Sequence, residues 1–176
     1  FVLNGPVILA GVGNMGSSLF KRLVVRGISP HSFCLQDPSP SESIRHFAAG
    51  YGIEIVPQIK APLSPPSLII LAVKPQDMEP VFGDLAAFAG PETIVLSIAA
   101  GRTIASFEKH LPPRTSVIRA MPNTPAQVGK GITACVANSA TQPSQRALSN
   151  EVLLSLGEVI WLDKEADLDA ATAVSG

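Results

Sequence analysis

Two cysteines and three histidines are all that the 176-residue chain holds of those residue types. Cys34 and Cys135 sit in separate apolar runs, which excludes a secreted framework stapled by disulfides and suits small buried side chains in a reducing compartment. A cytoplasmic location is therefore expected. His31, His46 and His110 are widely separated and share no ligand spacing with either cysteine, so no metal site is expected. Charge is scarce as well: 15% of residues are charged and the formal net charge is -1. Lys21-Arg22 is the only adjacent basic pair, too little to neutralise several phosphates, and nucleic acid is excluded as a partner. The longest apolar run, Leu68 to Val73, falls far short of the roughly 20 residues that cross a bilayer, so no membrane partner is expected. The opening from Phe1 lacks the basic-then-apolar pattern of a signal peptide. Neither a G-x-S-x-G elbow nor a Walker sequence occurs.

What is present is hydrophobic side chain, 46% of the chain, enough for one domain to bury a core without staples. Short apolar runs alternate with helical spacing, the pattern of a mainly parallel sheet covered on both faces. Strands are expected near Val7 to Ala10, Phe33 to Gln36, Leu68 to Val73, Ile94 to Ile98, Val117 to Ala120, Ile132 to Val136 and Val159 to Leu162. Met15, Leu19, Leu23 and Val24 recur at helical intervals before Gly27, making the first unit β-α-β. Further helices are expected over Ser41 to Ala49, Met78 to Phe88, Ile104 to His110, Ser144 to Ser155 and Glu165 to Val174. Around the start of the last, Asp163, Glu165, Asp167 and Asp169 occupy consecutive odd positions that cannot share one helix face, and are expected to form a solvated helix start.

Gly11-Val12-Gly13-Asn14-Met15-Gly16 matches G-x-G-x-x-G between a strand and a helix. In that context Gly11 makes the tight turn, Gly13 lets backbone approach a pyrophosphate, and Gly16 lets the helix lie close to the strand. Backbone N–H groups at the helix start hold phosphate, which lets a near-neutral protein bind an anionic cofactor. The fold class expected is α/β, Rossmann-like and doubly wound. Asp37 ends the second strand where a carboxylate bonds adenine-ribose hydroxyls and repels a 2′-phosphate, although Ser39, Ser41 and Arg45 stand near enough to receive one. The alternative for Asp37 is a turn or helix cap before Pro38. Lys74, in Ala72-Val73-Lys74-Pro75, ends another core strand at the ligand edge. As a lone Lys it reads more often as a solvated strand end than as a cofactor contact. Small residues in Ser97-Ile98-Ala99-Ala100-Gly101 leave room for a flat ring, and two prolines in Met121-Pro122-Asn123-Thr124-Pro125 stiffen a loop holding the Asn123 amide and Thr124 hydroxyl.

These four motifs, with Val117-Ile118-Arg119-Ala120 leading into the last, resemble pyrroline-5-carboxylate reductases in identity and order. The resemblance implies hydride transfer from NADPH or NADH to the C=N carbon of 1-pyrroline-5-carboxylate, giving L-proline. It implies that Gly11 to Gly16 with Ser17 hold the pyrophosphate and that Ala72 to Pro75 lie along the cofactor. Ala99, Ala100 and Asn123 then approach the nicotinamide, and Asn123 and Thr124 are the substrate-side candidates. The imine substrate is a small molecule, and no catalytic acid is identified. Ile59 stands where the family often has an adenosine-contacting Asn. The resemblance further implies a dinucleotide domain over 1–162, with 163–176 starting a helix toward an α-helical domain absent from this chain, through which the full-length protein forms a homo-oligomer. The chain alone is then expected to bind cofactor without efficient turnover. Other readings are the cofactor domain of a β-hydroxyacid dehydrogenase, a non-catalytic dinucleotide-sensing module, and a methyltransferase using S-adenosylmethionine.

Overall fold

The computed structural model describes residues 2–175, the last four by backbone alone. Its strands are β1 (Val7–Ala10), β2 (Phe33–Gln36), β3 (Ile55–Val56), β4 (Leu68–Leu71), β5 (Ile94–Ser97), β6 (Ser116–Pro122), β7 (Gly131–Ala137) and β8 (Gly157–Trp161). They form one sheet in the order β3-β2-β1-β4-β5-β6-β7-β8, parallel except where β6 meets β7. The helices are α1 (Asn14–Val25), α2 (Glu42–Ala49), α3 (Met78–Ala86), α4 (Ile104–Glu108), α5 (Pro143–Leu154) and α6 (Glu165–Ser175). This is a Rossmann-like, doubly wound sheet. Among the described residues no helix is long and apolar enough to cross a membrane.

Strand periodicity sorts the side chains into two cores. Val7 and Leu9 of β1 face α1, α2 and α5, where Leu19, Phe20, Leu23, Ile44 and Leu153 are buried. Ile8 and Ala10 face the opposite side, where Phe82 of α3, Phe107 of α4 and Leu168 of α6 close the second core. Each core contains an edge-to-face ring pair, Phe20 with Phe33 at 4.9 Å and Phe82 with Phe107 at 5.0 Å. Because both faces are covered, the central strands need no polar alternation, and β1, β4 and β5 are buried along their whole length.

Local signals set the starts of three helices. Ser41 accepts the Ile44 N–H at the start of α2, and Thr103 accepts the Ser106 N–H at the start of α4. Gln142 and Gln145 cap α5 reciprocally, with Pro143 as its first residue. Strand β3 departs from expectation: two residues are too few to show a period, and it exists because β2 offers an open edge. The connection after β6 is also tighter than expected. Residues Thr124–Val128 form a 3-10 turn that reverses the chain into antiparallel β7.

The carboxylates at the start of α6 overturn the expectation of a solvated cluster. Glu165 and Asp169 are four residues apart and do share a helix face. Glu165 Oε1 accepts Arg119 Nη1 at 2.7 Å and the Ile104 N–H at 2.8 Å, while Asp169 Oδ1 accepts Arg119 Nη2 at 3.4 Å. The Arg119 side chain is only 5% exposed. Its burial demands counter-charge, and α6 supplies it, joining β6 to the start of α4. Asp163 and Asp167 remain exposed. Replacing Glu165 by Ala leaves the guanidinium only the longer, more exposed contact with Asp169. We expect the unfolding free energy in urea to fall by about 3 kcal/mol, against less than roughly 0.5 kcal/mol for Asp167→Ala; equal losses would show that the cluster does not hold α6.

Candidate functional site at the carboxyl edge of the sheet

The β1-to-β4 junction is the point at which the strand order reverses, and open α/β sheets bind ligands outside the carboxyl ends of strands at such a point. Four segments leave that edge at one level. Gly11 donates its N–H to the Gln36 carbonyl at 2.8 Å, Asp37 to Val56 at 2.9 Å, Ala72 to Ala10 at 2.8 Å and Ile98 to Leu71 at 2.9 Å. The sequence motifs carried by these strands are thus brought together.

The glycines of the first loop have different jobs. A Cβ on Gly11, whose φ is +91°, would lie 2.5 Å from the Ala72 carbonyl oxygen, and a Cβ on Gly16 would collide with the Gly11 carbonyl. Both are needed for the fold itself. Gly13 is exposed, has φ -68°, and a Cβ there would meet nothing within 4 Å. The fold does not require glycine at this position. The space above it is open, and it caps a 12-residue helix that has neither a side-chain cap nor an acidic residue in its first turn. The positive end of the α1 dipole and its free N–H groups face that space. Val12 is buried in the core, Met15 packs beside it, Asn14 is exposed, and Ser17 Oγ donates to the Asn14 carbonyl at 3.3 Å.

Asp37 flanks this loop and is tied to it. One carboxylate oxygen accepts the Val12 N–H at 2.9 Å and the other accepts the Ser39 N–H at 2.9 Å. The turn-forming role weighed from sequence is therefore present, and so is a bond to the glycine loop that sequence reading did not anticipate. Each oxygen retains a further acceptor lone pair. Ser41 Oγ is occupied in capping α2, and Arg45 lies exposed on that helix. Ile59 is buried: its side chain belongs to the second core, and its N–H donates to Gln36 Oε1 at 2.7 Å. Gln36, a buried amide inside an apolar run, was the overlooked signal for that contact.

Ala72 and Val73 are half-buried just past the end of β4, while Lys74 and Pro75 are exposed at the start of a 3-10 turn, Pro75–Asp77. Ala99 is half-buried and Ala100 exposed. Asn123 does not present a free amide: its Oδ1 accepts the Ile132 N–H at 2.9 Å, bracing the β6–β7 reversal, so only its NH2 faces outward chemistry. Thr124 is exposed, in the 3-10 turn rather than an extended loop. That turn is fastened to α1 by Ser18 Oγ donating to the Gln127 carbonyl at 2.6 Å. A groove of about 550 Å³ runs from Asn14 and Ser17 along α1 toward Arg26, with Gln127 and Val128 on its far wall. Cys34 and Cys135 lie elsewhere. Burial raises both thiols, Cys135 to about 12 against a lowering by Arg146.

Residues 7–101 match the family model described as NADP oxidoreductase, coenzyme F420-dependent. The chain is 35% identical over 170 residues to a pyrroline-5-carboxylate reductase of Pseudomonas aeruginosa, covering 97% of this chain and 62% of that protein. It is 34% identical over 176 residues to the Mycobacterium tuberculosis protein of that name, covering 97% and 59%. A solved pyrroline-5-carboxylate reductase from Coxiella burnetii superposes with a TM-score of 0.87 at 28% identity, over 98% of this chain and 64% of that one. The Plasmodium falciparum structure, with NADP bound, has a TM-score of 0.80 at 24% identity over 98% and 63%, a likeness of fold. The chain thus spans less than two thirds of these proteins' lengths. With more than half of its residues inside the matching family model, the chain belongs to the NADP oxidoreductase, coenzyme F420-dependent family, in which its similarity runs to pyrroline-5-carboxylate reductases.

Proposed function

We propose that this chain is the cofactor-binding part of an NAD(P)H-dependent reductase that converts 1-pyrroline-5-carboxylate to L-proline. The observation that carries the reading is the open, uncapped start of α1 beneath Gly13, set at the sheet's switch point with the Asp37 carboxylate at its side. The residues fit a dinucleotide. Backbone N–H groups of Gly13, Asn14 and Met15, with the Ser17 hydroxyl, bind the pyrophosphate, since the anion replaces the missing cap. Asp37 and Ser39 face the adenosine ribose, Ala72 to Pro75 flank the middle of the cofactor, and Ala99, Ala100 and the Asn123 NH2 border the nicotinamide. When bound, the reduced nicotinamide supplies a hydride for the substrate's C=N carbon. Asn123 and Thr124 orient the imine. Gly11, Val12 and Gly16 keep the loop rigid, so little conformational freedom is lost on binding.

The sheet domain over residues 1–162 serves as the dinucleotide unit, and because the relatives are longer than this chain, α6 is read as leading toward a substrate domain through which the whole protein forms a homo-oligomer. Two free thiols suit a cytoplasmic protein.

Calorimetric titration with NADPH and NADH tests the assignment. Gly13→Val fills only open space, so it should cost less than roughly 0.5 kcal/mol of stability while weakening both cofactors by at least about tenfold. Undiminished binding by the folded variant would place the phosphates elsewhere.

Cofactor choice rests on Asp37. Asp37→Asn preserves an acceptor for the Val12 N–H and removes the negative charge, so NADPH should gain on NADH by about 1 to 2 kcal/mol in relative affinity. An unchanged NADPH-to-NADH ratio would mean that Asp37 serves the loop alone.

A further inference from the structure

Arg102 lies in the connection between β5 and α4, one residue beyond Gly101, and its guanidinium is held by two aromatic rings and by Ser106. Its centre is 5.1 Å from the Phe82 ring centroid and 5.3 Å from that of Phe107. Nε donates to Ser106 Oγ at 3.1 Å and Nη2 to the Ser106 carbonyl at 3.3 Å. Nη1 has no protein acceptor, and among the described residues no carboxylate lies within ion-pair distance of this guanidinium. Arg26 and Arg119 both have carboxylate partners. A guanidinium cannot shed its charge, so a half-buried one without a counter-ion carries a standing demand for an anion.

The cavity in front of it is about 440 Å³, and its walls carry matching chemistry. Lys109 and His110 line it from just past the end of α4, and the Thr103 and Ser106 hydroxyls line it beside Arg102. Glu79 of α3 is the one carboxylate on the wall, and it pairs with none of the three basic groups. We infer that this cavity binds a small oxyanion, a carboxylate or a phosphate, with the Arg102 fork as its main receptor. The fork is already immobilised by two rings and Ser106, so the anion does not have to order it, and a planar pair of N–H groups suits an anion presenting two oxygens. Pro75 and Ala100 also line the cavity, so the anion sits beside the edge loops assigned above to the middle and the nicotinamide end of the cofactor. It is separate from the phosphate site at α1, and its existence does not depend on dinucleotide binding.

The test titrates the 1–176 chain with sodium phosphate and, separately, sodium acetate at constant ionic strength, read by thermal stability and by NMR shifts of the His110 ring. Saturable binding with a dissociation constant on the order of 1 mM is expected for at least one anion, and the stronger arm identifies the class. Arg102→Gln should weaken it by at least about tenfold and Arg102→Lys by less, because charge remains but the fork is lost. Lys109→Gln is an exposed change that should weaken it even if the Arg102 variants fold poorly. Gly13→Val should leave it untouched. Loss of the response in Gly13→Val alone would place the anion at α1 and overturn the inference, as would no saturable response to either anion, or equal responses in wild type, Arg102→Gln and Lys109→Gln. Failure of cofactor binding with anion binding intact would instead count against the proposed function.

Discussion

The Gly11 carbonyl occupies the place a Cβ on Gly16 would need, and the Ala72 carbonyl occupies the place a Cβ on Gly11 would need, so β1, α1 and the end of β4 meet at backbone distance. The rest of the ligand edge follows from that approach. It lets α1 lie low across the sheet, which buries Leu19, Phe20 and Leu23 and points the helix start at the switch between β1 and β4. A side chain at either glycine would lift the helix from both its core and its site. Stability and the geometry of the edge are therefore set by the same contact, and Gly13, where an added Cβ would meet nothing, is the position of the loop that the fold leaves open.

Two carboxylates then fasten the two ends of the structure in comparable ways. Asp37 ties β2 to the glycine loop through the Val12 N–H, and Glu165 ties α6 to β6 and to the first N–H of α4. In each case one anion accepts from backbone that a local element leaves unpaired. The consequences differ with burial. Asp37 stands half-exposed at the edge, where its charge is available to a ligand, whereas Glu165 spends its charge on a guanidinium that is almost wholly buried.

Strands and helices with strong periods were legible from sequence. The apolar runs at Val7–Ala10 and Phe33–Gln36 fall where expected, and α1 begins at the glycine loop and ends just before Gly27. What escaped was set by tertiary contact. Strand β3 forms against an available edge, and the β6–β7 reversal depends on Asn123 accepting the Ile132 N–H. The bracing role of Asn123 escaped because a proline-flanked loop has no period from which such a bond can be read. The acidic stretch at α6 looked solvated because alternate spacing hid the one pair, Glu165 and Asp169, that shares a face. Its partner, Arg119, was in view as a lone charge in an apolar strand, and a buried guanidinium must find carboxylates somewhere.

Near-neutral composition appears at odds with binding an anionic dinucleotide, and the structure resolves this by separating field from charge. At α1 the attraction comes from peptide dipoles and unpaired N–H groups, which add nothing to the net charge and act only within the first turn. At Arg102 it comes from one full charge kept free of carboxylates by aromatic walls, which accept a cation without neutralising it. Most other charges lie outward on exposed faces or are cancelled in pairs such as Arg26 with Glu151. Local geometry, rather than a surplus of lysine and arginine, thus decides where this chain can meet an anion, and that is why a near-neutral charge count is compatible with a nucleotide site.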